Sequence, residues 1–173
     1  GIKGGYAAAC KRKATANNKY LPDYDPSQPD SYIFYMDANA LYGHILAGPL
    51  PIEVLDKFTQ QECDTILHEC TNGNFEAIPT SSLEVDLTYP AHLHDMHSDF
   101  PLAPVSECVD KVDLSGHMAD VLQMNNSKTN KTPKLLTTLN DRKNYVLTGK
   151  LLKYYLEMGL ILTKVHTGFH VRE

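Results

Sequence analysis

No run in this chain of 173 residues approaches the roughly 18–20 consecutive apolar residues that cross a bilayer, so a membrane span is not expected. No basic, apolar, small-residue leader opens it, which points to an intracellular protein; nucleus, mitochondrion and a virus-associated setting are not distinguished. The cysteines, Cys10, Cys63, Cys70 and Cys108, include no C-x-x-C pair, which argues against a zinc knuckle. Without a secretory signal they read as reduced thiols rather than a disulfide framework. There is no internal repeat, no long low-complexity segment and no initiating methionine. The chain begins at Gly1 and stops after an apolar, strand-like stretch, and we read it as a fragment.

Cations are scarce in the middle of the chain. Residues 22–120 carry two Lys/Arg against eighteen Asp/Glu, whereas residues 1–21 carry five cations and no acid, and residues 121–173 carry nine cations against three acids. Basic flanks around an acidic centre suit phosphate contacts at the ends and metal chemistry between them. Solvated faces of an ordinary soluble domain would look the same. The composition, 42% hydrophobic and 21% charged, allows a buried core.

Elements of both kinds are expected. Residues 21–31 are rich in proline and turn formers and read as a loop. Tyr32 to Asp37 is short, aromatic and apolar, and predicts a buried strand. Asn39 to Leu46 predicts a helical turn or two, ended near Gly48-Pro49. Thr59 with Glu62 has capping-box spacing ahead of a helix to Cys70. Ser82 to Leu87 alternates as a strand does, with Leu83, Val85 and Leu87 inward and Glu84 and Asp86 on an exposed face. A helix over Leu114 to Met124, short strands at Lys134–Leu139 and Asn144–Leu147, a helix at Lys150–Met158 stopped by Gly159, and a strand from Leu160 to Val165 complete an α+β pattern.

Chemistry concentrates in YIFYMDANALYGHIL. A carboxylate ending a buried strand is a rigid metal ligand, and nucleotidyl transfer needs divalent metal at the attacking and leaving oxygens. The turn after it offers N–H groups to phosphates. On residues alone a plain strand-to-turn transition explains Asp37 as well. His92, His94 and His97 with Asp95 and Asp99 form a second constellation. His94 and His97 would share a helix face, yet a structural role is the better reading than a metal site. Arg142, Lys143, Lys150, Lys153 and Lys164, interleaved with Tyr145, Tyr154 and Tyr155, could track phosphates and stack bases, or be surface charge around core aromatics.

The run DANALYG, Asp37 to Gly43, resembles motif A of family B DNA polymerases, and most closely the protein-primed branch. GIKGG, Gly1 to Gly5, resembles the branch's Y-x-G-G-type motif. The stretches Ala16–Gly43, Leu83–Pro104 and Lys134–His166 are similar to polymerases of Maverick/Polinton transposable elements, linear mitochondrial plasmids and related viruses. The resemblance spans nearly the whole chain and keeps family order. It implies a partial polymerase palm with an inserted α+β subdomain: residues 1–50 starting the palm with motif A, residues 51–133 the insertion, residues 134–173 the segment before motif B. It implies that Asp37 is a catalytic metal ligand for Mg2+, two ions serving the complete enzyme. Ala38, Asn39, Ala40 and Leu41 would hold the incoming triphosphate and Tyr42 would gate the sugar. Lys3, Gly4, Gly5, Lys11, Arg12, Lys13, Arg142 and Lys143 would contact DNA. The implied partners are a primer–template, deoxynucleoside triphosphates and a terminal protein primer, with no membrane.

The chain departs from the pattern at Ile2, at Ala40, at Leu147-Thr148-Gly149 and at Thr167. Motif B and motif C, with the second aspartate, do not occur in the 173 residues. The expectation is therefore a DNA-directed DNA polymerase fragment that does not polymerise alone. The alternative is a truncated relict that binds nucleic acid or a partner. A metal-dependent hydrolase using Asp37 and the histidine block lacks an H-E-x-x-H-like motif and ranks below both.

Overall fold

The computed structural model describes residues 5, 7, 13–109, 112, 114–125 and 132–173. Its elements follow in the order α1 (Leu41–Leu46), β1 (Glu53–Lys57), α2 (Gln60–Thr71), β2 (Ser81–Thr88), α3 (His94–His97), β3 (Val105–Glu107), α4 (Gly116–Met124), β4 (Lys134–Leu136), β5 (Arg142–Thr148), α5 (Gly149–Glu157) and β6 (Ile161–Arg172), with 3-10 turns at Phe75–Ala77 and Ala91–Leu93. The class is α+β.

Four strands form one sheet in the order β1-β6-β2-β5, each neighbouring pair antiparallel. β1 and β2 therefore run the same way, joined through α2 with β6 inserted between them. β5 and β6 likewise run together, joined through α5 with β2 between. The chain thus reads β-α-β-β-α-β across the sheet, two interleaved split units. The sheet draws strands from both sides of position 133. β3 and β4 make a separate two-stranded ladder.

Helix α2 starts where the sequence says it should. Thr59 Oγ1 accepts the Glu62 N–H at 3.3 Å and Glu62 Oε2 accepts the Thr59 N–H at 2.7 Å, so the capping box is complete. α2 buries Cys63, Ile66 and Cys70. α5 begins at the Thr148 cap and buries Leu152, Tyr155 and Leu156. Both helices meet the inward face of the sheet, Leu83, Val85 and Leu87 of β2, Tyr145 and Leu147 of β5, and Leu162 and Val165 of β6, in one apolar cluster. Two glycines permit the close approach. A Cβ on Gly168 would lie 2.7 Å from Phe58 Cδ2, and one on Gly149 would collide with the Pro79 carbonyl oxygen.

Two expectations need correction. Tyr32 to Asp37 is not a buried strand. It pairs with no strand of either sheet, and Phe34, Tyr35 and Met36 are 79%, 98% and 86% exposed. Aromatic β-propensity makes a strand only where a neighbour completes the ladder, and none lies beside it among the described residues. Asp86 projects from the face away from the helices but is not solvated there. It is 7% exposed, for reasons given below.

Candidate functional site

Asp37 is exposed, two residues before a turn. That turn passes through Ala40, whose backbone is left-handed (φ 53°, ψ 35°), and α1 follows with its first bond from His44 N–H to the Ala40 carbonyl at 3.0 Å. Alanine pays a steric cost there that glycine or asparagine does not. No side chain caps the helix. Tyr42 lies on α1, 85% exposed, and α1 buries none of its residues. Ala38, Asn39 and Leu41 are exposed as well. The predicted nucleotide-binding run is therefore one continuous exposed turn and helix start, with Asp37 its single carboxylate. Among the described residues no group of three or more His, Cys, Asp and Glu side chains converges to hold a metal. One carboxylate is within what magnesium uses when substrate phosphates supply other ligands.

The predicted DNA contacts separate. Lys3, Gly4, Lys11 and Arg12 lie outside the described residues, as does Cys10. Gly5 and Lys13 are exposed, far in sequence from the sheet. Arg142 is corrected: it is 4% exposed, and its guanidinium donates to the carbonyls of Ala103 (2.7 Å), Asn140 (2.5 Å) and Thr138 (2.6 Å). A guanidinium spent on these and on a fourth backbone carbonyl, that of Asp141 at 3.4 Å, holds loop 100–104 and the start of β5 together and is not offered to a phosphate. Burial lowers its pKa from the ordinary value. Lys143 does face outward, its side chain 70% exposed.

The sequence reading missed a polar cluster around Asp86. β2 meets a register shift on both sides here: between Val85 and Leu87 against β5, and between Glu84 and Val85 and again between Asp86 and Leu87 against β6. The bulges re-aim their residues toward the carboxylate. Asp86 Oδ1 accepts the Asn144 N–H at 2.8 Å and lies 2.8 Å from His166 Nε2, and Oδ2 lies 3.4 Å from Lys143 Nζ. Asn144 itself has a positive φ of 50°. Burial raises the Asp86 pKa. The Asn144 N–H, His166 and Lys143 outweigh it and leave the carboxyl below its usual range. Glu84 Oε1 accepts from Asn144 Nδ2 at 2.8 Å. No local sequence signal foretold this, since the partners lie 57 to 80 positions away.

Two histidines of the block, His94 and His97, pack against Tyr89, both rings edge-on at 5.7 Å. The Tyr89 hydroxyl accepts the Leu102 N–H at 3.2 Å and lies 2.8 Å from His97 Nδ1. The block ties α3 to the end of β2 and to the loop at 102.

Lys150 and Lys153 belong to α5, on the apolar side of the sheet, and are paired with Glu173 and Glu76. Tyr145 and Tyr155 are core, and burial raises the pKa of both. No helix among the described residues is long and apolar enough to cross a membrane. Comparison with protein-family models, with curated proteins and with solved structures finds no match to this chain.

Proposed function

We propose that this chain is the motif A portion of a protein-primed family B DNA polymerase, a nucleotidyltransferase that adds deoxynucleotides to a 3′ or protein hydroxyl. The observation that carries the reading is the run Asp37-Ala38-Asn39-Ala40-Leu41-Tyr42-Gly43. Its geometry supports it: a carboxylate, then a tight left-handed turn, then a helix start bearing an exposed phenol. In this reading Asp37 holds Mg2+, which would supply charge stabilisation for the transferring phosphate. The turn lies against the triphosphate, and Tyr42 sets the space left for the sugar. These 173 residues supply one of the two aspartates that two-metal transfer requires, so they do not extend a primer by themselves.

Isothermal titration of a deoxynucleoside triphosphate into the chain, with and without Mg2+, tests the site. Metal-dependent binding that Asp37→Asn weakens at least about tenfold is expected, since a lost charge-assisted metal contact is worth on the order of 1.4 kcal/mol or more. Equal binding by the variant would remove Asp37 from the site. Primer extension by the wild-type chain alone would refute the claim of inactivity. Salt-dependent DNA binding without nucleotide binding would favour the relict binding module instead.

A further inference from the structure

Between loop 100–104, which reads Phe-Pro-Leu-Ala-Pro, and helix α5 lies a cleft of about 250 Å³. Its buried floor is Leu102, Ala103 and Tyr155, and its exposed rim is Phe100, Leu151 and Tyr154. Thr137 and the two prolines of the loop complete the lining, which includes no Asp, Glu, Lys, Arg or His. The backbone of the loop is spent inside the protein. Phe100 N–H donates to the His97 carbonyl at 3.1 Å, and Leu102 N–H to the Tyr89 hydroxyl at 3.2 Å. Pro101 and Pro104 have no N–H to give. The Ala103 backbone is bonded to Tyr155, and its carbonyl accepts from Arg142 Nε at 2.7 Å. The Pro104 carbonyl accepts from the Tyr145 hydroxyl at 2.9 Å. The loop therefore keeps no N–H for a ligand, and what it offers is apolar side chain. Ala103 is left-handed, with φ 52°, and wholly buried. An alanine holds that conformation only where its surroundings over-determine it, and Arg142, Tyr145 and Tyr155 do so here. The wall of the cleft is pinned in place rather than free to collapse onto α5.

We infer that this cleft binds a small, neutral, apolar molecule with the bulk of about one aromatic ring. A cavity lined by apolar groups stays dry and takes nonpolar ligands. A charged ligand would lose its hydration there with nothing to replace it. The volume falls just below the roughly 300–1,000 Å³ of sites for drug-sized ligands, which suits a single ring. The occupant is a free molecule rather than a protein surface, because the apolar area is confined to the cleft. On either side of Leu151 along α5 stand Lys150 and Lys153, ion-paired with Glu173 and Glu76, and charged residues are depleted from the centre of protein interfaces. The inference is independent of the polymerase reading, since it uses no residue of the Asp37 run.

Toluene is the probe, titrated into the 173-residue chain and followed by backbone amide NMR shifts, with benzoate as the charged comparison on the same ring. Saturable shifts at Leu102, Ala103 and Leu151 are expected for toluene, with a Kd on the order of 1 mM or tighter. Benzoate is expected to bind at least about tenfold more weakly. Leu151→Trp puts bulk into the cleft from its exposed rim and is expected to weaken toluene binding at least about tenfold. Phe100→Ala removes one wall at a position 68% exposed, where folding is not at stake, and is expected to weaken binding about threefold or more. The urea midpoint verifies that both variants fold. No saturable shift at the cleft, equal binding of benzoate, or wild-type affinity in both variants overturns the inference. So do shifts confined to the exposed aromatic run Tyr32–Met36, which would mark nonspecific adsorption. A tryptophan-bearing peptide that moves the cleft amides where toluene does not would also overturn it, and would make the cleft a docking site for a protein side chain.

Discussion

Ala40 shows how a single residue carries both strain and information. Its left-handed backbone costs an alanine roughly 1–2 kcal/mol, and the side chain cannot cap the helix it introduces. Asparagine tolerates this conformation and supplies a capping oxygen. Ala40→Asn is expected to stabilise α1 by about 1 kcal/mol. Because α1 buries nothing, the effect is local and the global unfolding midpoint will barely move. Amide hydrogen exchange at His44 is the suitable measurement, and about fivefold slower exchange is expected. An unchanged rate would mean that the turn is not the element that limits opening. The run from Asp37 to Tyr42 was singled out by its resemblance to motif A; its residue types alone left a plain strand-to-turn transition equally open. The burial of Arg142 was not legible, because a cation's charge is visible in a sequence while the four carbonyls that consume its donors are not.

At the scale of elements, α2 is the best case of local control. Its capping box was read from Thr59 and Glu62 and is present. The same carboxylate also lies 3.0 Å from His170 Nε2. The Thr59 N–H, then His170 and the Thr59 hydroxyl, lower the Glu62 pKa to about 2. The folded value lies below the ordinary unfolded value for glutamate, so this group's contribution is fully present above the unfolded pKa. It is lost as pH falls through that value toward about 2. The stability difference between wild type and Glu62→Gln, followed by thermal melts from neutral pH downward, is expected to shrink across that window. A difference that stayed constant with pH would mean the interaction does not depend on the ionised form. The segment Tyr32 to Met36 is the contrary case. Its residue types favour a strand as strongly as those of β2 do, yet it joins neither sheet and stays exposed. A helix closes its hydrogen bonds within itself, whereas a strand requires a partner that its own sequence does not contain.

For the whole molecule, one sheet and two helices share one core. Leu152 on α5 is 0% exposed and sits in the cluster that includes β2, β5 and β6. Leu152→Ala is expected to cost about 2–5 kcal/mol, read as a lowered urea midpoint with an unchanged m-value. A cost below about 1 kcal/mol would mean that the helix is not seated as described. The split β-α-β arrangement also leaves one face of the sheet open. Each helix crosses over to the same side, so all the apolar residues of β2 are drawn to that side and its even-numbered residues are left on the other.

The sequence by itself determined the α+β class, the start and stop of α2 and α5, the inward alternation of Leu83, Val85 and Leu87, and the residue run from which a function is proposed. These are short-range properties: caps, periodicities and turn residues act within a few positions. Only the tertiary structure decided the strand order β1-β6-β2-β5, the burial of Arg142, and the meeting of Asp86 with Lys143 and His166 across 57 and 80 positions. Pairing register and bulges set those contacts. They follow from how whole strands compete for neighbours over a common core, a choice that no single stretch of chain contains.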